Sequence, residues 1–193
     1  MNVRATLAAE GLPRRAFTVD DVLRMVDVGL IGEDERLELI GGELVPMSPK
    51  GSRHEVIKRA LLNRWLRGEL DPTVDVIVET TLRLDGLSFV EPDIVLVAAR
   101  TRLDDLVPSN VLLVIEIADS SLGYDLGPKP AIYAAHGLRE RWVIDVTTRQ
   151  THVHREPSPS GYRSVTVTSA ELSLEPQLLP HLSVTLANLP LDE

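Results

Sequence analysis

The sequence predicts a mixed α/β (α+β) domain, with a central mixed β-sheet flanked by helices and a C-terminal β-hairpin. Three patterns carry that expectation. Residues 89–97 and 111–117 are nearly continuous apolar runs, as in strands buried on both faces. Residues 52–70 repeat apolar side chains at the spacing of a helix. Residues 151–154 and 162–167 are extended segments joined across the turn-forming stretch Pro157-Ser158-Pro159-Ser160-Gly161. Strands interrupted by a few helices define this class.

Residues 1–16 read as a lead-in and residues 17–193 as one domain. Thr18 can cap a helix in which Asp20 and Asp21 suit the positive end and Val19, Leu23 and Val26 form a stripe. Gly29 is the expected stop. Leu37 to Val45 forms two short strands around Gly41-Gly42, since glycine accepts the positive φ of a tight hairpin; Pro46 and Pro49 end it. In the 52–70 helix, Ile57, Leu61 and Trp65 face inward while Arg53, Lys58, Arg59, Arg64 and Arg67 add positive charge. Asp71-Pro72 stops it. Val74 to Leu84 is extended, Pro128 to Ala135 is a helix ended by Gly137, and Arg141 to Val146 is a strand. A last apolar segment spans Leu182 to Leu189.

At 193 residues, with 44% hydrophobic and 25% charged side chains, the chain has the composition of a globular domain. Two Trp, three Tyr and two Phe leave the core to Leu, Val, Ile and Ala. The absence of cysteine excludes disulfides and thiolate metal sites. No apolar run approaches the roughly 20 residues that span a bilayer, and the N-terminus lacks a signal-peptide pattern, so a cytoplasmic protein is expected. The net charge of −9 argues against nonspecific coating of nucleic acid.

Two carboxylates stand where core-building would not put them. Glu116 lies within the apolar run Val111 to Ala118, and Asp93 begins another after Glu91-Pro92. A charged carboxylate in such a strand costs several kcal/mol without partners. Antiparallel pairing of these strands would bring both acids to one sheet edge. Converging carboxylates need a cation, and oxygen-only ligands favour Mg²⁺, completed by water and substrate phosphate, with Mn²⁺ as substitute. Such a metal lowers the pKa of bound water and neutralises phosphoryl charge. Lys129, a short loop beyond Glu116, can return to that edge to orient water and stabilise charge. Each residue also has a structural reading: a strand-end Asp, a satisfied buried Glu, a solvated Lys.

The ordered set Arg36 to Val45, Met47-Ser48-Pro49, His54, Glu91-Pro92-Asp93-Ile94, Ile115-Glu116-Ile117, Ser120-Ser121, Asp125, Lys129, Tyr133 and Gly137 to Asp145 resembles the Uma-two family of putative restriction endonucleases. That bacterial family belongs to the PD-(D/E)XK nuclease superfamily. The resemblance implies a restriction-endonuclease-like fold and Mg²⁺-dependent hydrolysis of DNA phosphodiester bonds. Pro92-Asp93 matches the PD element and Glu116 the second acid. Ala118 stands where the superfamily has lysine, and Lys129, flanked by Pro128 and Pro130, takes its place as in the family pattern. Glu38 matches the upstream acid and is the choice for a further metal carboxylate, with Glu43 as rival.

His54 and Tyr133 are accessory candidates: His54 contacts phosphate or caps its helix, and Tyr133 shares a helix face with Lys129. His152 and His154 share a strand face, but no third zinc ligand is evident. Ser120-Ser121 lacks a nucleophile elbow. Arg14, Arg15 and the basic face of the 52–70 helix are candidates for DNA backbone contact. A homodimer would suit an enzyme that cuts two strands. The competing readings are an inactive nuclease-fold binding or assembly module and a hydrolase of smaller phosphoesters.

Overall fold

A computed structural model describes residues 5–7, 13–32, 34–67 and 72–191. The strands are β1 (Ala5–Leu7), β2 (Pro13–Arg15), β3 (Leu37–Ile40), β4 (Glu43–Pro46), β5 (Val74–Val78), β6 (Leu82–Arg83), β7 (Phe89–Val90) and β8 (Ile94–Ala98). They continue with β9 (Val111–Ala118), β10 (Glu140–Asp145), β11 (Thr151–Ser158), β12 (Gly161–Thr168), β13 (Ser173–Leu174) and β14 (Val184–Thr185). The helices are α1 (Val19–Asp27), α2 (Ser52–Leu66), α3 (Leu122–Leu126) and α4 (Lys129–Ala135). Chain contacts divide the protein into two units, Met1–Met47 with Thr81–Glu91, and Ser48–Thr80 with Pro92–Glu193.

In the first unit, β4, β3, β7 and β6 form an antiparallel sheet in that order. Thr18 Oγ1 accepts the Asp21 amide at 3.0 Å while Asp21 accepts the Thr18 amide at 3.0 Å, a reciprocal cap for α1. Gly41 and Gly42 turn β3 into β4 with φ of 58° and 90°. A Cβ on Gly42 would stand 2.6 Å from that of Ala16, so glycine is required there by space as well as by φ. Val19, Val22, Ile31 and Leu39 form this unit's core.

The second unit carries a six-stranded mixed sheet in the order β12-β11-β10-β9-β8-β5. β9 and β10 run parallel and every other neighbouring pair antiparallel. Ile57, Leu61 and Trp65 of α2 pack against Ile94, Leu96, Leu113, Ile115 and Ile117. Trp65 Nε1 donates to the Leu182 carbonyl at 3.1 Å, tying α2 to the C-terminal segment, whose Leu182, Val184, Leu186 and Leu189 join the same core. Side chains alternate along a strand, so Val114 and Glu116 point away from this core, towards Lys129 and Tyr133 of α4.

Several expectations are corrected. The lead-in contains an antiparallel pair, β1 with β2. On α1 the buried face is Val19 and Val22; Leu23 is 57% exposed, because a residue four positions on from Val19 lies past the edge of a narrow contact stripe. α2 ends at Leu66, and Leu70 lies outside the described residues. The run 74–84 breaks at Glu79, where φ is 49°, and the run 89–97 breaks at 91–93, where Pro92 cannot donate to a ladder. Pro46 sits within β4, paired with Leu37 at the sheet edge.

Candidate active site

The antiparallel register of β8 and β9 pairs Ile94 with Ile115, so the next rung sets position 93 opposite 116. The backbone confirms the closeness: Ile117 N donates to Asp93 Oδ2 at 2.8 Å. Side chains at directly opposed positions share a face of the sheet. Both acids are buried.

Glu116 belongs to a buried group of four charges. Lys129 Nζ lies 2.9 Å from Glu116 Oε1 and 3.6 Å from Asp125 Oδ1. Tyr133 donates its hydroxyl to Glu116 Oε1 at 2.8 Å. Arg141, fully buried on β10, donates to the Asp125 carbonyl at 2.8 Å and sets its other amine 3.5 Å from Asp125 Oδ1. Its guanidinium also stands 5.1 Å from the centre of the Tyr133 ring, and Lys129 Nζ 5.6 Å from that of Tyr124. Two acids and two bases thus balance within the interior. Burial pushes Glu116 up to about 7; Lys129 and Arg141 oppose the rise, and the negative charges of Asp125 and Asp93 reinforce it. Glu116 therefore sits near the balance point between its neutral and charged forms at physiological pH.

Asp93 lies in a second cluster. Its Oδ1 meets Lys50 Nζ at 2.8 Å and His54 Nε2 at 2.9 Å. Burial raises the Asp93 pKa, but the His54 and Lys50 contacts outweigh it and hold the carboxyl well below the ordinary range. Lys50 also reaches Glu79 at 2.8 Å, and Lys58 bridges Glu79 and Glu55. The two lysines push Glu79 down to about 2. His54 Nδ1 faces Glu55 at 3.1 Å, so each ring nitrogen looks onto a carboxylate. At this sheet end the neighbouring acids therefore differ: Asp93 is firmly ionised and Glu116 is poised.

The sequence profile of Uma2, described as putative restriction endonuclease, matches residues 19–187. The chain belongs to this family. The Uma2 assignment accords with the fold of a solved structure described as a putative nuclease belonging to DUF820 from Anabaena variabilis. That structure is 16% identical with a TM-score of 0.67, over 89% of this chain and 96% of the other. Among curated proteins none matches.

The residues expected at the site are distributed as follows. Asp93, Glu116, Lys129, Tyr133 and His54 come together in the second unit. Glu38 belongs to the first unit, where it is 1% exposed and accepts the Glu91 amide at 3.1 Å; Glu43 pairs with Ile40 across the hairpin and is half-buried. Among the described residues no set of three or more His, Asp or Glu side chains is arranged to close around an ion. His154 is buried against Tyr162, with ring centres 5.5 Å apart, and burial pushes it down to about 4. Lys58, expected on the basic face of α2, is buried instead within the Asp93 cluster.

Lys50, Glu79, Asp125 and Arg141 were not singled out as site residues from sequence. Arg141 carried the same signal as Glu116, a charge inside the apolar strand Arg141-Trp142-Val143-Ile144. Lys50 and Glu79 lie beside loops, where no periodicity marks them. No helix among the described residues is long and apolar enough to cross a membrane.

Proposed function

We propose that this protein hydrolyses phosphodiester bonds in DNA with a divalent cation, Mg²⁺ or Mn²⁺, held by Asp93 and Glu116. The observation that carries the reading is the opposed pair of buried acids on adjacent strands, with the Lys129 ammonium 2.9 Å from one of them. Two oxygen-donor side chains suit a hard cation whose remaining positions go to water and phosphate oxygens. When bound, the cation lowers the pKa of a water and offsets phosphoryl charge.

The chain's own residues have separable tasks. Lys129 orients the attacking water and offers a positive charge to the phosphoryl oxygens. Asp125, itself held by Arg141, positions the ammonium, and Tyr133 fixes Glu116 by its hydroxyl. His54 and Lys50 keep Asp93 ionised and ready to ligate. The family pattern adds Glu38, with Glu43 as rival, as the upstream acid.

Incubation with plasmid and oligonucleotide DNA plus Mg²⁺ or Mn²⁺ tests this. Cleavage abolished by Asp93→Ala and by Lys129→Met is expected; cleavage indifferent to Asp93→Ala contradicts the reading. A second reading, an inactive nuclease-fold binding or assembly module, is favoured by one observation. Lys50, His54 and Lys129 already occupy oxygens of both acids. It predicts no heat of Mn²⁺ binding in calorimetry and no stabilisation by Mg²⁺.

A further inference from the structure

Beside the N-terminal turn of α2 lies a half-open cavity of about 400 Å³ with no role in the chemistry above. Val56, Ile57, Val146 and Leu191 form an apolar floor, and Arg53 and Arg149 stand among its walls. A volume of this order holds one small ligand. We infer that this cavity is a subsite for one nucleotide of the nucleic-acid strand, its phosphate on Arg149 and Arg53 and its sugar and base over the aliphatic floor.

The charge is the first argument. On a protein of net charge −9, two guanidiniums flank one apolar recess. Arg53 shares Asp119 at 3.5 Å, whereas Arg149 has no carboxylate within ion-pair reach among the described residues. Guanidinium forks match phosphate oxygens.

The support beneath Arg149 is the second. The Asp145 carboxylate accepts the Thr147 amide at 2.8 Å, the Thr148 amide at 3.4 Å and the Thr148 hydroxyl at 2.7 Å, and the Asp145 carbonyl accepts the Arg149 amide at 2.8 Å. This turn holds the Arg149 backbone at φ 57°, so the place where its side chain leaves the main chain is set in advance of binding.

Position is the third. Val146 N donates to the Ala118 carbonyl at 3.0 Å, two residues beyond Glu116 on β9. Val146 and Ile57 belong to the α2 side of the sheet whereas Glu116 faces α4, so the cavity neighbours the acids around the end of the sheet and on the Asp93 side. Arg53 precedes His54, which touches Asp93. A strand whose scissile phosphate lies at the acid pair would reach the cavity past Arg53 at this end of the sheet. No aromatic side chain lines it, so the subsite would hold a base by apolar contact and tolerate any sequence.

The inference rests on the nuclease reading for the strand's path, but its test does not need cleavage. A fluorescent single-stranded 12-mer is titrated in EDTA against the unmodified protein, Arg149→Asn (a residue that tolerates positive φ) and Val56→Trp, which fills the recess. Losing one phosphate contact should weaken binding about fourfold at 0.15 M salt and lower the slope of log K against log salt by about 0.7. Val56→Trp should weaken it with the slope kept. Competition by 5′-dTMP separates the sources of the ligand: displacement of the 12-mer shows that a free nucleotide also enters, and its failure with both variants still impaired assigns the subsite to the strand alone. Unchanged affinity in both variants overturns the inference. Mn²⁺-dependent cleavage separates it from the parent reading: cutting retained with binding unaffected by the variants sinks the subsite alone, whereas sensitive binding without any cutting leaves the subsite and sinks the nuclease.

Discussion

Replacing Glu116 by glutamine should remove part of the protein's pH dependence. Burial pushes the folded-state pKa up to about 7 from an ordinary 4.5. Below pH 4.5 folded and unfolded chains both hold the proton, and the carboxyl's stabilising share is fully present. As the pH rises from 4.5 the unfolded chain ionises first, so that share is lost progressively and the loss levels off above about 7. At about 1.4 kcal/mol per pH unit the interval amounts to roughly 3 kcal/mol. The glutamine amide has no such proton to lose. Urea unfolding in EDTA from about pH 4.5 to 8 should thus show the wild-type stability falling by about 3 kcal/mol relative to Glu116→Gln. A difference that stays flat, or grows with pH, would mean that Lys129 keeps Glu116 ionised throughout, and the poised carboxyl would have to be abandoned.

Lys129→Met leaves Glu116 with no cation on its carboxylate and Asp125 with Arg141 alone, and should cost about 3–5 kcal/mol at pH 8, with a smaller cost at pH 5 where Glu116 takes up a proton; urea unfolding at both values checks the pattern. Gly41→Ala meets open space at φ 58° and should cost about 1 kcal/mol. Gly42→Ala adds a collision with Ala16 at φ 90° and should cost more than about 2 kcal/mol, an order that thermal unfolding of the two variants can reverse if the hairpin geometry is wrong. Glu79, pushed down to about 2 by Lys50 and Lys58, stabilises the fold above 4.5 and loses that share as the pH falls towards 2. Glu79→Gln should therefore flatten part of the acid unfolding curve, which circular dichroism reads directly.

The sheet and the longest helix were legible because burial dictates their residues. Strands covered on both faces must be apolar along their length, and a helix on such a sheet must repeat Ile57, Leu61 and Trp65. That same logic exposes Glu116, since a carboxylate survives in an apolar strand only with partners. Arg141 obeys the rule equally and shows that a buried cation is as informative as a buried acid. The strand breaks at Glu79 and 91–93 were not legible: one depends on a positive φ in a residue other than glycine, the other on a Pro that divides an otherwise apolar run. Lys50 reaches Asp93 from 43 positions away in a segment with no period, so tertiary contact alone reveals it. Leu23 illustrates a further limit: four-residue spacing marks a face but does not say how wide the contact is.

Metal-dependent hydrolysis at this site requires joint ligation by Asp93 and Glu116. Calorimetric titration of the EDTA-treated and dialysed protein with Mn²⁺, repeated on Asp93→Asn and Glu116→Gln, measures it. One saturable site in the wild type, weakened at least about tenfold by either substitution, is the predicted result. Equal binding in all three proteins, or none in the wild type, would contradict it.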